Sequence, residues 1–201
     1  MILFLLWLGL VLVLGLSRWQ IALMTIGFVL LAIFGWFFML KDYQRDRLLT
    51  FLDPGRDPLV SGYNLTQSII AIGSGQWIGR GVGFGTQSQL RFLPESQADF
   101  IFAVVGEELG FVGVLLLLGL YALLAWRLAH IAMSTRSDFG QILAVGVLIA
   151  VLGQALVHIA MNMGLLPVTG LSLPFMSSGG SYLLSVMVMM GLAQSVAVHS
   201  Q

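Results

Sequence analysis

The sequence predicts an all-α, polytopic membrane protein, and three observations carry that prediction. Of its 201 residues, 58% are hydrophobic and only 9% are charged, against roughly 25% charged in an average soluble domain. Mean hydropathy is +0.97 over the whole length, more apolar surface than one soluble core could hide. The apolar residues also gather into five spans, about 1–16, 20–40, 100–126, 139–163 and 175–198. Each approaches or exceeds the roughly 20 residues a membrane helix needs, and a helix satisfies its own backbone in lipid. Zero net charge gives no support to nucleic-acid binding. No cysteine is present, so disulfides and thiolate metal sites are excluded. The histidines at 130, 158 and 199 have no metal-ligand spacing.

Met1–Leu16 reads as a short first span rather than a signal peptide, for it lacks a basic leader and a convincing cleavage site. Its brevity suggests a chain that begins mid-fold. Ser17–Trp19 is a connection short enough to make the first two spans an antiparallel hairpin. Residues 41–98 form the long loop, and an odd number of crossings would put the chain's ends on opposite sides. That loop holds six of the nine basic residues, including Arg45, Arg80 and Arg91. Long loops report topology poorly. The short loops, with Arg18 on one and Arg127 and Arg136 on another, favour the opposite orientation. Charge alone leaves the orientation nearly balanced.

Within the loop, Lys41–Leu52 mixes charges with Leu48, Leu49 and Phe51, as an interfacial helix would. Asp53-Pro54 and Asp57-Pro58 are breakers. Asn64–Ile72 is amphipathic and too short to span. The run Gly73–Gly85 (GSGQWIGRGVGFG) carries six glycines, which read either as a flexible re-entrant loop or as a phosphate-cradling nest.

The stretch Arg91–Gly110 (RFLPESQADFIFAVVGEELG) sets Asp99 where loop becomes apolar helix. Intramembrane carboxylates are costly and mark functional sites. Ser96 and Asp99 also have capping-box spacing, a purely structural alternative. The functional reading makes Asp99 a base that takes a proton from a sugar hydroxyl. Glu107, eight residues on, would lie about 12 Å further along the helix, too far for a glycosidase-type carboxylate pair. It would brace a helix or line a polar cavity. Gln154, His158 and Asn162 repeat every four residues, giving a polar stripe for interhelical hydrogen bonds or a cavity wall. Pro167–Tyr182 (PVTGLSLPFMSSGGSY) suggests a tight re-entrant turn into the last span.

Taken together, Asn162–Tyr182 and the segments DYQRDRL, FLDPGRDPLVSGYN, QSIIAIGSG, GTQSQLRFLPE and DFIFAVVGEELG resemble the SEDS (shape, elongation, division and sporulation) family. GTQSQLRFLPE, and Thr169 where the division branch often has Lys, are closer to the RodA branch than to FtsW. The resemblance implies a fold of ten helices, of which this chain would supply the last five. It would be set in the bacterial cytoplasmic membrane with residues 41–98 outside and the C-terminus inside. Gln97-Ala98 and Ser178 depart from the family's usual His-Thr and Tyr.

The resemblance further implies an inverting glycosyltransferase that polymerises lipid II into peptidoglycan strands during cell elongation. Asp99 of the DFIF motif would be general base and undecaprenyl pyrophosphate the leaving group. Candidate substrate-binding residues are Arg80, Gln87, Arg91, Glu107, Ser177, Gly179 and Gly180, with the Gly73–Gly85 amides as further anion donors. No cofactor is evident; a divalent cation could share the leaving-group charge, but no dedicated site is displayed. Expected partners are membrane lipids, a class B penicillin-binding transpeptidase and the elongation machinery. A lipid II flippase, or a scaffold for the transpeptidase, are the alternatives.

Overall fold

The computed structural model describes residues 17–39, 61–89 and 97–199, together with Trp7, Gly9, Val11 and Phe51. Among the described residues all regular structure is helical: α1 (Arg18–Phe34), α2 (Ser61–Ser74), α3 (Thr86–Gln89), α4 (Ile101–Ser134), α5 (Asp138–Asn162) and α6 (Gly180–His199). α1 runs on into a π-helical segment, Gly35–Met39. Among the described residues, four helices are long and apolar enough to cross a membrane: Trp19–Phe38, Ile101–Ser134, Asp138–Asn162 and Gly180–His199. The expected span 1–16 falls almost wholly outside the described residues, although Trp7, Gly9 and Val11 are helical. Trp7 stacks on Phe28 of α1, ring centroids 5.7 Å apart, as a hairpin of the first two spans requires. The expected interfacial helix at 41–52 also lies outside the described residues, Phe51 excepted.

α4 and α5 form the central hairpin. Ser137 caps α5, its hydroxyl accepting from the Gly140 amide, and Asp138 in the first turn suits the positive end of the helix dipole. The third span continues to Ser134, eight residues beyond the expected end at 126. The reason is packing: Leu128, Ile131 and Ala132 are buried, and Ala144 and Val147 of α5 share their clusters. Small residues carry much of the contact, with Ala144, Ala155 and Ala193 nearly inaccessible, as expected where dispersion rather than hydrophobicity joins helices. α6 starts at Gly180 rather than 175. Phe175 has φ +66°, and Pro174–Met176 form a turn, so the chain cannot enter helix any earlier.

One break governs the architecture. Gly110 interrupts α4 with φ +66° and ψ −163°, where the sequence reading had an unbroken helix. The backbone groups this exposes are taken up by the glycine-rich segment. Arg80 N–H donates to Glu107 O (3.0 Å), Gly81 N–H to Glu108 O (3.0 Å), Phe111 N–H to Gln76 O (2.8 Å) and Val112 N–H to Trp77 O (3.1 Å). Non-helical backbone at membrane depth persists only where other protein satisfies it, and this seam does so. Trp77 closes it edge-on against Phe111, centroids 5.3 Å apart.

Candidate functional site around Asp99

Asp99 precedes the helix instead of capping it. α4 opens at Ile101 with Phe100 as its N-cap, and no side chain caps that end. The capping-box expectation therefore fails for Asp99, and Ser96 lies outside the described residues. Three side chains hold the main chain around Asp99. Ser177 donates from its hydroxyl to Ala98 O (2.7 Å), while Ser178 donates to Gln97 O through its amide (2.9 Å) and its hydroxyl (3.0 Å). Asn162 donates to Asp99 O (3.0 Å). The turn before α4 is thus stitched to the end of α5 and to the loop before α6.

That loop is held in turn by the polar stripe of α5. Gln154 donates to Ser172 O (3.0 Å) and His158 Nδ1 lies 2.6 Å from Leu171 O. The carbonyl can only accept, so Nδ1 carries the proton. Tyr121 of α4 donates to Pro174 O (2.5 Å), and Ser177 Oγ accepts from Leu173 N–H (2.7 Å). Gln154 and His158 therefore brace an irregular segment, whereas Asn162 also meets Ser68 of the neighbouring helix α2. The interhelical bonding drawn from spacing holds at Asn162, while the bracing of residues 171–172 by Gln154 and His158 was not foreseen.

The half-buried Asp99 carboxylate faces Gly170. Gly170 has φ +70°, and a Cβ there would lie 3.6 Å from Asp99 Oδ2. Gly170→Ala is expected to cost about 1–2 kcal/mol through the left-handed backbone alone, and to set a methyl against the carboxylate. A drop in the detergent melting midpoint accompanied by weaker activity would bear this out.

A second polar cluster sits at the α4 break. Glu107 is fully buried; its Oε1 accepts from Gln87 N–H (2.8 Å) and Thr86 Oγ1 (3.3 Å), and Arg80 Nη1 donates to Thr86 Oγ1 (2.9 Å). Arg80, Gln87 and Glu107 are thereby brought together, away from the Asp99 turn in sequence and in bonding. The nest reading of Gly73–Gly85 is narrowed here. The N–H groups of Gly79, Arg80, Gly81 and Phe84 already donate to backbone carbonyls, so they cannot cradle an anion. Gly179 and Gly180 adjoin the Ser177–Ser178 clip, and Gly180 is open, with nothing within 4 Å of an added Cβ. Arg91 lies outside the described residues. Among the described residues no three His, Asp or Glu side chains converge as metal ligands.

The cell cycle protein family model of FtsW, RodA and SpoVE matches residues 1–201. This chain belongs to that family. Among its relatives, peptidoglycan glycosyltransferase MrdB of Escherichia coli (strain K12) is 47% identical over 190 residues, covering 93% of this chain and 51% of the relative. A probable peptidoglycan glycosyltransferase FtsW of Alkalilimnicola ehrlichii is 44% identical over 196 residues, covering 96% of this chain and 47% of the relative. A solved structure described as "Structural coordination of polymerization and crosslinking by a peptidoglycan synthase complex" superposes with a TM-score of 0.76 at 33% identity. It covers 99% of this chain and 55% of that one. The chain spans about half the length of the curated relatives it matches.

The SEDS resemblance drawn from the motifs is therefore correct, and so are the helical class and the multi-pass membrane setting. In this family member the sequence reading missed Gly170, Tyr121 and Ser68. Ser68 had a detectable signal, a polar position inside the amphipathic stretch Asn64–Ile72. Gly170 and Tyr121 had none, because what they touch is far away in the chain.

Proposed function

We propose that the protein containing this chain is an inverting peptidoglycan glycosyltransferase that polymerises lipid II during cell elongation. The observation that carries the proposal is the Asp99 turn: three side chains grip its main chain, leaving the carboxylate directed at the Gly170 bend instead of a capping role. On this reading Asp99 removes the proton of the acceptor's 4-hydroxyl. That oxygen attacks the donor's anomeric carbon, and undecaprenyl pyrophosphate departs with the bonding pair. Its growing charge needs fixed cations; Arg80, which is exposed, and Arg91 are the proposed ones, and a divalent ion would supplement them. Ser177 and Glu107 then hold backbone in place, while Gly179 and Gly180 leave room for substrate.

Residues 41–98 are assigned to the outer face and the C-terminus to the cytoplasm, where the charges of the short loops would then lie. A class B penicillin-binding transpeptidase is the proposed partner, in keeping with the solved relative described as acting in polymerization and crosslinking. The elongation branch rests on GTQSQLRFLPE. Polymerisation is supported over transport because Glu107, His158 and Asn162 are tied to backbone groups rather than arrayed along an open path. The test uses the full-length protein in detergent with lipid II, where no compartments exist. A ladder of glycan strands on a gel is expected; intact lipid II with transport activity in vesicles would instead identify a flippase.

A further inference from the structure

The fully buried Asn162 does more than continue a polar stripe. Its Nδ2 donates to two carbonyls, Asp99 O (3.0 Å) and His158 O (2.9 Å). Neither acceptor could meet Oδ1, so the side-chain orientation is fixed by chemistry. On its other side the buried Ser68 hydroxyl of α2 donates to Asn162 O (2.9 Å) and approaches Oδ1 (3.4 Å). One amide thus joins the end of α5, the turn before α4 and α2. Its contact with Asp99 is to the main chain, so it sets where the residue stands.

We propose that Asn162, oriented by Ser68, is a positioning residue for Asp99. This rests on the glycosyltransferase reading above. Near-attack geometry is steep, and a misplacement of about 1 Å can cost about 10²-fold in rate. Asn162→Asp keeps the side chain's shape but removes both donated bonds, and it sets a second carboxyl against two carbonyl oxygens. Ser68→Ala leaves those bonds in place and removes the hydroxyl that donates to Asn162 O and approaches its Oδ1.

The experiment measures steady-state polymerisation of lipid II by the full-length protein, with the melting midpoint of each variant alongside. For Asn162→Asp, kcat is expected to fall at least about tenfold with KM within about threefold of wild type; Ser68→Ala should move kcat the same way by a smaller factor. Combined with Asp99→Asn, neither substitution should lower the residual rate further, because there is no base left to misplace. If Asn162→Asp does not fold, Ser68→Ala alone and in the Asp99→Asn background carries the test. Wild-type kcat in a folded variant, a change confined to KM, or an undiminished effect in the Asp99→Asn background would each overturn the positioning role. Failure of the glycosyltransferase reading looks different: Asp99→Asn itself would then polymerise like wild type.

Discussion

Asp99→Asn is expected to lower the rate of lipid II polymerisation by about 10²–10⁴-fold, the range over which a positioned general base acts. The substitution keeps the size of the side chain and removes its basicity. The turn should survive it, because that turn is built from main-chain carbonyls at Gln97, Ala98 and Asp99 and from donors on Ser177, Ser178 and Asn162. The expected signature is therefore an inactive protein with an unchanged melting midpoint. Loss of folding in parallel with activity would indicate that the carboxylate is a structural element.

The second large effect is expected at Gly79. Its φ is +83°, and a Cβ would fall 2.1 Å from Glu108 O and 2.7 Å from Gly110 N. Both of these groups are backbone, so nothing can swing aside. Gly79→Ala must open the seam that satisfies the α4 break, including the bonds from Arg80 N–H to Glu107 O and from Gly81 N–H to Glu108 O. Each buried group left without a partner costs about 1–3 kcal/mol, so the pair gives about 2–6 kcal/mol. Gly83 provides the control: its φ is +79°, but nothing lies within 4 Å of an added Cβ. Gly83→Ala should cost only the conformational term, about 1–2 kcal/mol. Melting midpoints of the two purified variants compare the effects directly; equal shifts would mean that the seam contributes nothing.

The long spans were legible because a membrane helix is specified by local composition. α5 was placed within one residue at either end, 139–163 against Asp138–Asn162. Asn64–Ile72, read as an amphipathic stretch too short to span, lies within the 14-residue helix Ser61–Ser74. Asp99 could be singled out because a carboxylate beside an apolar run is conspicuous. What escaped the reading were features set by distant backbone. The break at Gly110 depends on residues 75–81, and nothing in the sequence around Gly110 announces a partner some thirty positions earlier. Likewise, Asp99 has plausible first-turn spacing, yet the carbonyls just before the helix are bound by Ser177 and Asn162, which delays its start to Ile101. The glycines of 73–85 looked suited to an anion for the same reason that they suit a close backbone seam. Sequence alone does not distinguish the two uses.

The account stands on a carboxylate that acts in the chemical step rather than in folding or substrate capture. Single-turnover coupling measures that step directly: full-length wild type and Asp99→Asn are each saturated with labelled lipid II, and formation of the first glycosidic bond is followed. The account predicts equal loading of the two proteins and bond formation at least about 10²-fold slower in the variant. Equal rates of bond formation from equally loaded protein would contradict it.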